Sequence, residues 1–253
     1  MQSFVTLSSG FKLPLLGMGT WHHTYSCPDE VATAVVFAIQ EGFRLIDCAH
    51  VYKNEAEVGR ALRRVLDDGV VPREDLFVTS KLWNTKHHPS DVRGACLQSM
   101  KELQLDYLDA YLIHWPTAFI NVPELIPRNS FDGSVQFAYI HYMDTWKAME
   151  ALVDEGLVRS IGMSNFNQEQ MEVVLKHSRI KPSILQVECN PRFSQEPLAD
   201  FCLQNGITLQ AFSPFGSPDL PWGRTDLPHL LQDPTIKRIA DSYGRSPAQV
   251  ILR

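Results

Sequence analysis

Hydrophobic positions in this chain follow two alternating periods. Short apolar runs lie at 14–21, 43–49, 76–83, 108–115, 158–165, 184–190 and 208–214. Runs of that length, rich in Val, Ile, Leu and Phe, read as strands buried on both faces. Between them the period shifts to that of a helix. Val31, Ala34, Val35, Ala38 and Ile39 fall at i, i+3, i+4, i+7 and i+8, with Pro28 in the first turn and Gly42 as the stop. Val58, Ala61, Leu62 and Val65 form a second stripe, and Val92, Ala95, Cys96, Ser99 and Leu103 a third. Trp146, Met149 and Val153 share a fourth face, a helix is placed near 168–176, and Leu198, Phe201 and Cys202 precede Gly206. Two helical stretches, near 234–243 and 246–253, finish the pattern.

Strand–helix alternation argues for a parallel sheet covered by helices. A small hairpin, 4–7 and 11–13 around Ser8-Ser9-Gly10, stands in front of seven such units. That count predicts an α/β fold, a (β/α)₈ TIM barrel forming a single domain over residues 1–253. The pattern ends inside a helix, so the barrel is expected to lack its eighth strand and C-terminal tail, with two strand edges uncovered. One loop, 116–140, is long and rich in Pro, Asn and Gly, which favours a place beside a binding site.

Composition narrows the functions. The 253 residues are 44% hydrophobic and 21% charged, an ordinary globular balance. A net charge of −6 gives no basic footprint, so no nucleic-acid partner is expected. No apolar run is long enough to span a bilayer, and residues 1–10 lack the charged and apolar regions of a signal peptide. Cys27, Cys48, Cys96, Cys189 and Cys202 form an odd set without CxxC spacing. They read as reduced, packed thiols, which makes the cytoplasm the default compartment.

The strand ends carry the candidate chemistry. Asp47, Lys81 and His114 sit near the downstream ends of the second, third and fourth barrel strands, and Tyr52 follows the second. In a parallel barrel those ends share one face, where active sites form. A phenol with a reference pKa of about 10 is a poor acid at neutral pH. An adjacent Lys81 ammonium is expected to lower it, with Asp47 holding Lys81 charged and fixed. His114 and Tyr52 together make a two-donor site for a carbonyl oxygen. No nucleophile accompanies them, so the attacking group must come from a cofactor, and hydride fits. No metal is expected: His22-His23 and His87-His88 are adjacent pairs without supporting carboxylate or cysteine spacing. Gly17-x-Gly19 lacks the third glycine of a dinucleotide loop, since His22 occupies its place, and reads as a tight strand end. Asn54-Glu55 reads as a helix opening and cap.

Several motifs together resemble the aldo-keto reductase family along essentially the whole chain. They are Gly17-Met18-Gly19-Thr20-Trp21, the Asp47…Tyr52…Asn54-Glu55 segment, Ser80-Lys81-Leu82-Trp83 and Leu112-Ile113-His114-Trp115-Pro116. Ile161-Gly162-Met163-Ser164-Asn165-Phe166, Gln186-Val187-Glu188 and Phe212-Ser213-Pro214 complete them, and the stretch 71–89 looks most like the aldehyde reductases, the NADP-dependent alcohol dehydrogenases. The resemblance implies NADPH-dependent reduction of aldehydes and some ketones, with Asp47, Tyr52, Lys81 and His114 as catalytic tetrad and Tyr52 as proton donor. It implies that NADP(H) binds through Gly19, Thr20, Trp21 and Asp47, with the nicotinamide carboxamide held by Ser164, Asn165 and Gln186. The ring would stack on Phe212, where many relatives have tyrosine, and Ser213, Phe215, Ser217 and Asp219 would fold over the pyrophosphate. Trp21, Trp115 and His114 would wall the pocket of a small-molecule carbonyl substrate. The family analogy also implies a monomer. The alternative is a truncated, catalytically impaired isoform, acting at most as a binding protein.

Overall fold

The computed structural model describes residues 3–22, 29–217 and 229–253. Pro28, Cys27 and Asp219 therefore lie outside the described residues. Strands β1 (Phe4–Thr6) and β2 (Lys12–Pro14) pair antiparallel as the predicted hairpin. Then β3 (Gly17–Gly19), β4 (Leu45–Asp47), β5 (Phe77–Leu82), β6 (Leu108–Ile113), β7 (Val158–Ser164), β8 (Ile184–Glu188) and β9 (Thr208–Phe212) form one sheet in sequence order, every neighbouring pair parallel. The helices between them are α1 (Glu30–Gln40), α2 (Glu55–Asp67), α3 (Pro89–Leu103), α4 (Tyr142–Asp154), α5 (Gln168–His177) and α6 (Glu196–Gln204). Helices α7 (Pro234–Tyr243) and α8 (Pro247–Leu252) follow β9. The architecture is a barrel-type sheet of seven parallel strands among the described residues, and β3 and β9 stand at its two ends.

Predicted strand boundaries shift by a few residues. The first barrel strand is shorter than the run 14–21, because Pro14 is used by the hairpin, opposite Phe4. The long loop carries its own pairing, with Phe119 opposite Phe137 and Arg128 opposite Val135. It is also tied down from outside. Lys86 Nζ donates to Asn121 Oδ1 (2.8 Å), and Asn121 Nδ2 donates to Asp91 Oδ2 on α3 (2.8 Å).

The apolar runs sort into two cores. Outside the sheet, Val35, Ile39, Leu62, Val92, Leu103, Trp146 and Met149 pack helices against strands, and all are buried. Full burial of each such side chain contributes about 1.5–3 kcal/mol. Inside, Leu7 and Leu13 of the hairpin meet Leu45, Phe77, Ala110, Leu112 and Ile184. The hairpin thus plugs the upstream end of the barrel. Ser8 Oγ donates to Ser183 Oγ (3.1 Å), and the Ser9 and Ser160 hydroxyls pair at 2.7 Å. Gly162 lets β7 lie close to β8, since a Cβ there would fall 2.4 Å from the Ile184 carbonyl oxygen.

A charged cluster closes the same end. Asp109, on β6, is 2% exposed and receives Arg73 Nη2 (2.8 Å), Arg159 Nη1 (2.9 Å) and the Val78 amide (2.9 Å). The two guanidinium groups also flank the Tyr107 ring, at 4.0 and 3.9 Å from its centroid. One carboxylate therefore neutralises two arginines and satisfies a strand amide. Replacing Asp109 by Ala strands both cations and the Val78 N–H. We expect a loss of about 2–4 kcal/mol, measured by urea unfolding, since both arginines keep some contact with water. A change below about 0.5 kcal/mol, the size of an ordinary surface substitution, would show the cluster to be incidental.

Candidate active site

The opposite, downstream end of the sheet gathers the candidate residues. β4 delivers Asp47, and the 3₁₀ turn His50–Tyr52 follows after Cys48 and Ala49. Lys53, with φ of 57°, bends the chain out of that turn towards α2. Lys81 lies one residue before the end of β5, and His114 directly follows β6. Parallel register sets Asp47 beside Gly19 on one side and Thr79 on the other.

Lys81 is wholly buried, and its ammonium makes three contacts. It donates to the Asp47 carboxylate, to the Cys48 carbonyl (2.9 Å) and to the Tyr52 hydroxyl (3.3 Å). The other Asp47 oxygen, Oδ2, accepts Gln186 Nε2 (2.7 Å) from β8. Thr20 fixes the Asp47 backbone, its amide (2.9 Å) and hydroxyl (3.0 Å) both donating to the Asp47 carbonyl. His114 is held by edge contacts with Trp83 and Tyr52, at centroid distances of 5.3 and 5.9 Å. Asp47, Tyr52, Lys81 and His114, more than sixty residues apart at the extremes, are thus one contiguous group.

Electrostatics in this group follow from burial. Desolvation alone would lower the Lys81 pKa, but the charge of Asp47 and the Tyr52 hydroxyl outweigh it and raise it above the usual lysine range. Lys81 is therefore a permanent cation. The Tyr52 phenol departs from the sequence expectation. Lys81 does pull its pKa down, but burial is the larger effect and Asp47 adds to it, so the net direction is upward. In this arrangement Tyr52 stays protonated, a state suited to giving a proton. His114 is driven well below its ordinary value by burial and then by Lys81, and is neutral.

The residues expected to hold the cofactor surround this group. Asn165 has φ of 62°, and its side-chain amide donates to the His114 carbonyl (2.9 Å) and to Ser164 Oγ (3.1 Å). Its backbone amide donates to the Gln186 carbonyl (3.0 Å), so Ser164, Asn165 and Gln186 form one polar shelf beside Asp47. Phe212 closes β9, and Ser213, Phe215 and Ser217 follow in a tight turn. Ser213, Gly216 and Ser217 all have left-handed φ, at 49°, 78° and 43°, and the Ser217 hydroxyl donates to Ser213 Oγ (2.6 Å). Such turns form concave backbone cradles for anions. Gly19 leaves open space at the mouth, since a Cβ there would meet nothing within 4 Å. Trp21 and Trp115 stand on the rim, each 43% exposed. The shelf, the cradle and this opening fit a nicotinamide dinucleotide.

Sequence reasoning passed over several participants. Asn54 occupies the N-cap position of α2, yet its side chain caps nothing; Nδ2 donates instead to the Thr20 carbonyl (2.7 Å). Glu55 is 1% exposed and accepts the hydroxyls of Ser80 (2.5 Å) and Ser99 (2.9 Å). Trp83 links the site to the long loop, donating its indole N–H to the Leu125 carbonyl (2.6 Å) and packing edge-on against Phe119. An aromatic two residues after a strand-end lysine is the sequence signal that pointed there.

His87, expected only as half of an idle histidine pair, is fully buried, and neither ring nitrogen has a hydrogen-bond partner among the described residues. Burial lowers its pKa to about 4. Between that value and the ordinary value near 6.5, the unfolded chain binds a proton that the native state refuses, so stability falls as pH drops through this window. His114 acts in the same sense, whereas His50, raised by Glu55, stabilises at low pH and loses its contribution above its raised pKa. Urea midpoints measured from pH 7 to pH 5 should therefore decline less steeply in His87→Gln than in the unaltered chain. Parallel slopes would contradict a buried neutral His87.

Comparison with known proteins agrees with the geometry. A sequence model of the Aldo/keto reductase family matches residues 15–253. Aldo-keto reductase family 1 member A1 of Gallus gallus is 50% identical over 251 residues, covering 99% of this chain and 76% of that protein. The Homo sapiens protein of the same name is 48% identical over 252 residues, with 99% and 76% covered. Among solved structures, the aldose reductase from Schistosoma japonicum superposes with a TM-score of 0.90 at 43% identity, over 99% of this chain and 78% of that one. A buried lysine joining an aspartate to a tyrosine at the mouth of a parallel barrel, set in a sequence that matches over nearly its whole length, places this chain in the aldo/keto reductase family.

Proposed function

We propose that the site reduces aldehydes, and some ketones, to alcohols with NADPH, and that Asp47, Tyr52, Lys81 and His114 carry the reaction. The observation that supports this most directly is the double contact of Lys81 with the Asp47 carboxylate and the Tyr52 hydroxyl. The bound nicotinamide cofactor supplies the hydride. Ser164, Asn165 and Gln186 would orient its carboxamide, Phe212 would offer a ring face, Ser213, Phe215 and Ser217 would cover the pyrophosphate, joined on the family resemblance by Asp219, and Gly19, Thr20 and Trp21 would border the reacting end. His114, in its neutral form with the proton on Nε2, donates to the substrate carbonyl oxygen and polarises it. That tautomer leaves Nδ1, which has no hydrogen-bond partner among the described residues, as an acceptor and not as a stranded donor.

As negative charge develops on the oxygen, Tyr52 transfers its proton there. The Lys81 cation beside it stabilises the phenolate left behind, and Asp47 keeps that cation in place. The raised pKa of Tyr52 keeps the proton on until the reaction calls for it. Trp21 and Trp115 wall the substrate. The same reading makes the protein a cytoplasmic monomer acting on a small carbonyl compound. No comparison points to the alternative of a binding-only chain.

Turnover, cofactor quenching and two substitutions test this. The unaltered chain should consume NADPH with an aromatic aldehyde, seen as loss of the nicotinamide absorbance. Tyr52→Phe should lower kcat by about 10²–10⁴-fold, the worth of one positioned acid. It should leave the NADPH-induced quenching of tryptophan fluorescence intact. Activity within tenfold of the unaltered chain would remove Tyr52 as proton donor. Lys81→Met should be as damaging to kcat and in addition destabilise the fold, because Asp47 is left buried without its cation.

A further inference from the structure

Successive residues of a strand face opposite sides, so where Lys81 points to the barrel mouth, Ser80 points outward between α2 and α3. There it meets Glu55, a fully buried carboxylate that no lysine or arginine pairs with among the described residues. Among the described residues its ion-pairing neighbour is a histidine: His50 Nδ1 lies 3.8 Å from Glu55 Oε2. Glu102, on the last turn of α3, brings a third donor, and the ligand atoms of His50, Glu55 and Glu102 all lie within 4.8 Å of one another. The approach depends on Gly59, because a Cβ there would fall 2.1 Å from the Glu102 carbonyl oxygen.

We propose that His50, Glu55 and Glu102 form a binding site for Zn²⁺, separate from the reductive chemistry. One imidazole and two carboxylates are a donor set that zinc takes with water in the fourth position. Their charges sum to that of a dication with opposite sign, which offsets the cost of keeping Glu55 ionised in the interior. The hydroxyls of Ser80 and Ser99 already hold the Glu55 carboxylate, as outer partners hold the ligands of built metal sites. Glu55 is thus the fixed point. His50, 34% exposed at its side chain, and the half-buried Glu102, which Gln98 Nε2 steadies at 2.6 Å, are free to close the remaining distance. The same partial exposure gives the ion a route from solvent.

Proton and metal compete for His50. Without an ion the imidazole faces Glu55, which favours its protonation, with Glu102 adding to that and burial and Lys86 opposing it. Zinc must displace this proton, so its affinity rises with pH and binding releases acid. Because His50 opens the turn that ends in Tyr52, a bound ion ties that turn to α2 and α3.

The test uses the full chain and zinc chloride alone, titrated in competition with a chromophoric chelator at pH 7.5. A single saturable equivalent is expected, weakened more than ~100-fold, beyond the loss of an outer partner, by His50→Gln and separately by Glu102→Gln. Both variants should keep the far-UV circular dichroism of the unaltered chain. No saturable equivalent in the unaltered chain, or an equivalent that persists in both variants, would overturn the site. Neither result depends on carbonyl reduction, so the two proposals stand or fall apart.

Discussion

The ion pair of Lys81 and Asp47 is the constraint from which the mouth of this barrel is built. A wholly buried ammonium is tolerated only where an anion and further acceptors meet it, and here the Cys48 carbonyl and the Tyr52 hydroxyl complete the set. Each partner is fixed in turn: Asp47 by Thr20 and Gln186, Thr20 by Asn54, and Tyr52 by the turn that Lys53 ends. The cost of burying Lys81 is thereby converted into position. Removing any one member leaves a charge or a dipole without its complement, so the constellation is held together by the penalty for breaking it.

The two ends of the sheet solve the same electrostatic problem for different ends. Downstream, one lysine and one aspartate are joined to a hydroxyl that can give up its proton. Upstream, Asp109 is matched by two arginines stacked on Tyr107, and these groups hold one another and the Val78 amide in place. The first arrangement suits chemistry and the second suits fixation. The hairpin plug beside the second cluster reinforces the contrast, because Leu7 and Leu13 fill the space where solvent would otherwise enter.

Much of this was legible in the chain itself. The runs that became β5, β6, β7 and β8 are short and mostly apolar, with few polar interruptions such as Lys81 and Asp109, and a parallel strand buried on both faces reads close to that way. The helices after them announce themselves by stripes such as Val58, Ala61, Leu62 and Val65. Asp47, Lys81 and His114 were visible because a charge or imidazole at a strand end is out of keeping with the strand. What stayed hidden depends on contacts between distant segments. Glu55 looks like a helix-opening residue until Ser80 and Ser99 are brought to it, and Asn54 looks like a cap until Thr20 lies within reach. The direction of the Tyr52 pKa was missed for a related reason: charge order along a sequence is visible, but depth of burial is not.

Trp83 joins two parts of the protein that are usually considered separately. Its indole nitrogen is anchored to the backbone of the long loop at Leu125, and its ring edge supports His114. Any displacement of that loop is therefore felt at the imidazole that faces the substrate oxygen. The anchor is a main-chain carbonyl, so it is indifferent to which side chain occupies position 125. At the tip beyond it Phe131 is 97% exposed, standing out into solvent. The loop thus divides into a stem that transmits force and a tip free to drift in sequence. Substrate preference could diversify at that tip over evolutionary time while the proton-transfer geometry beneath it stays unchanged.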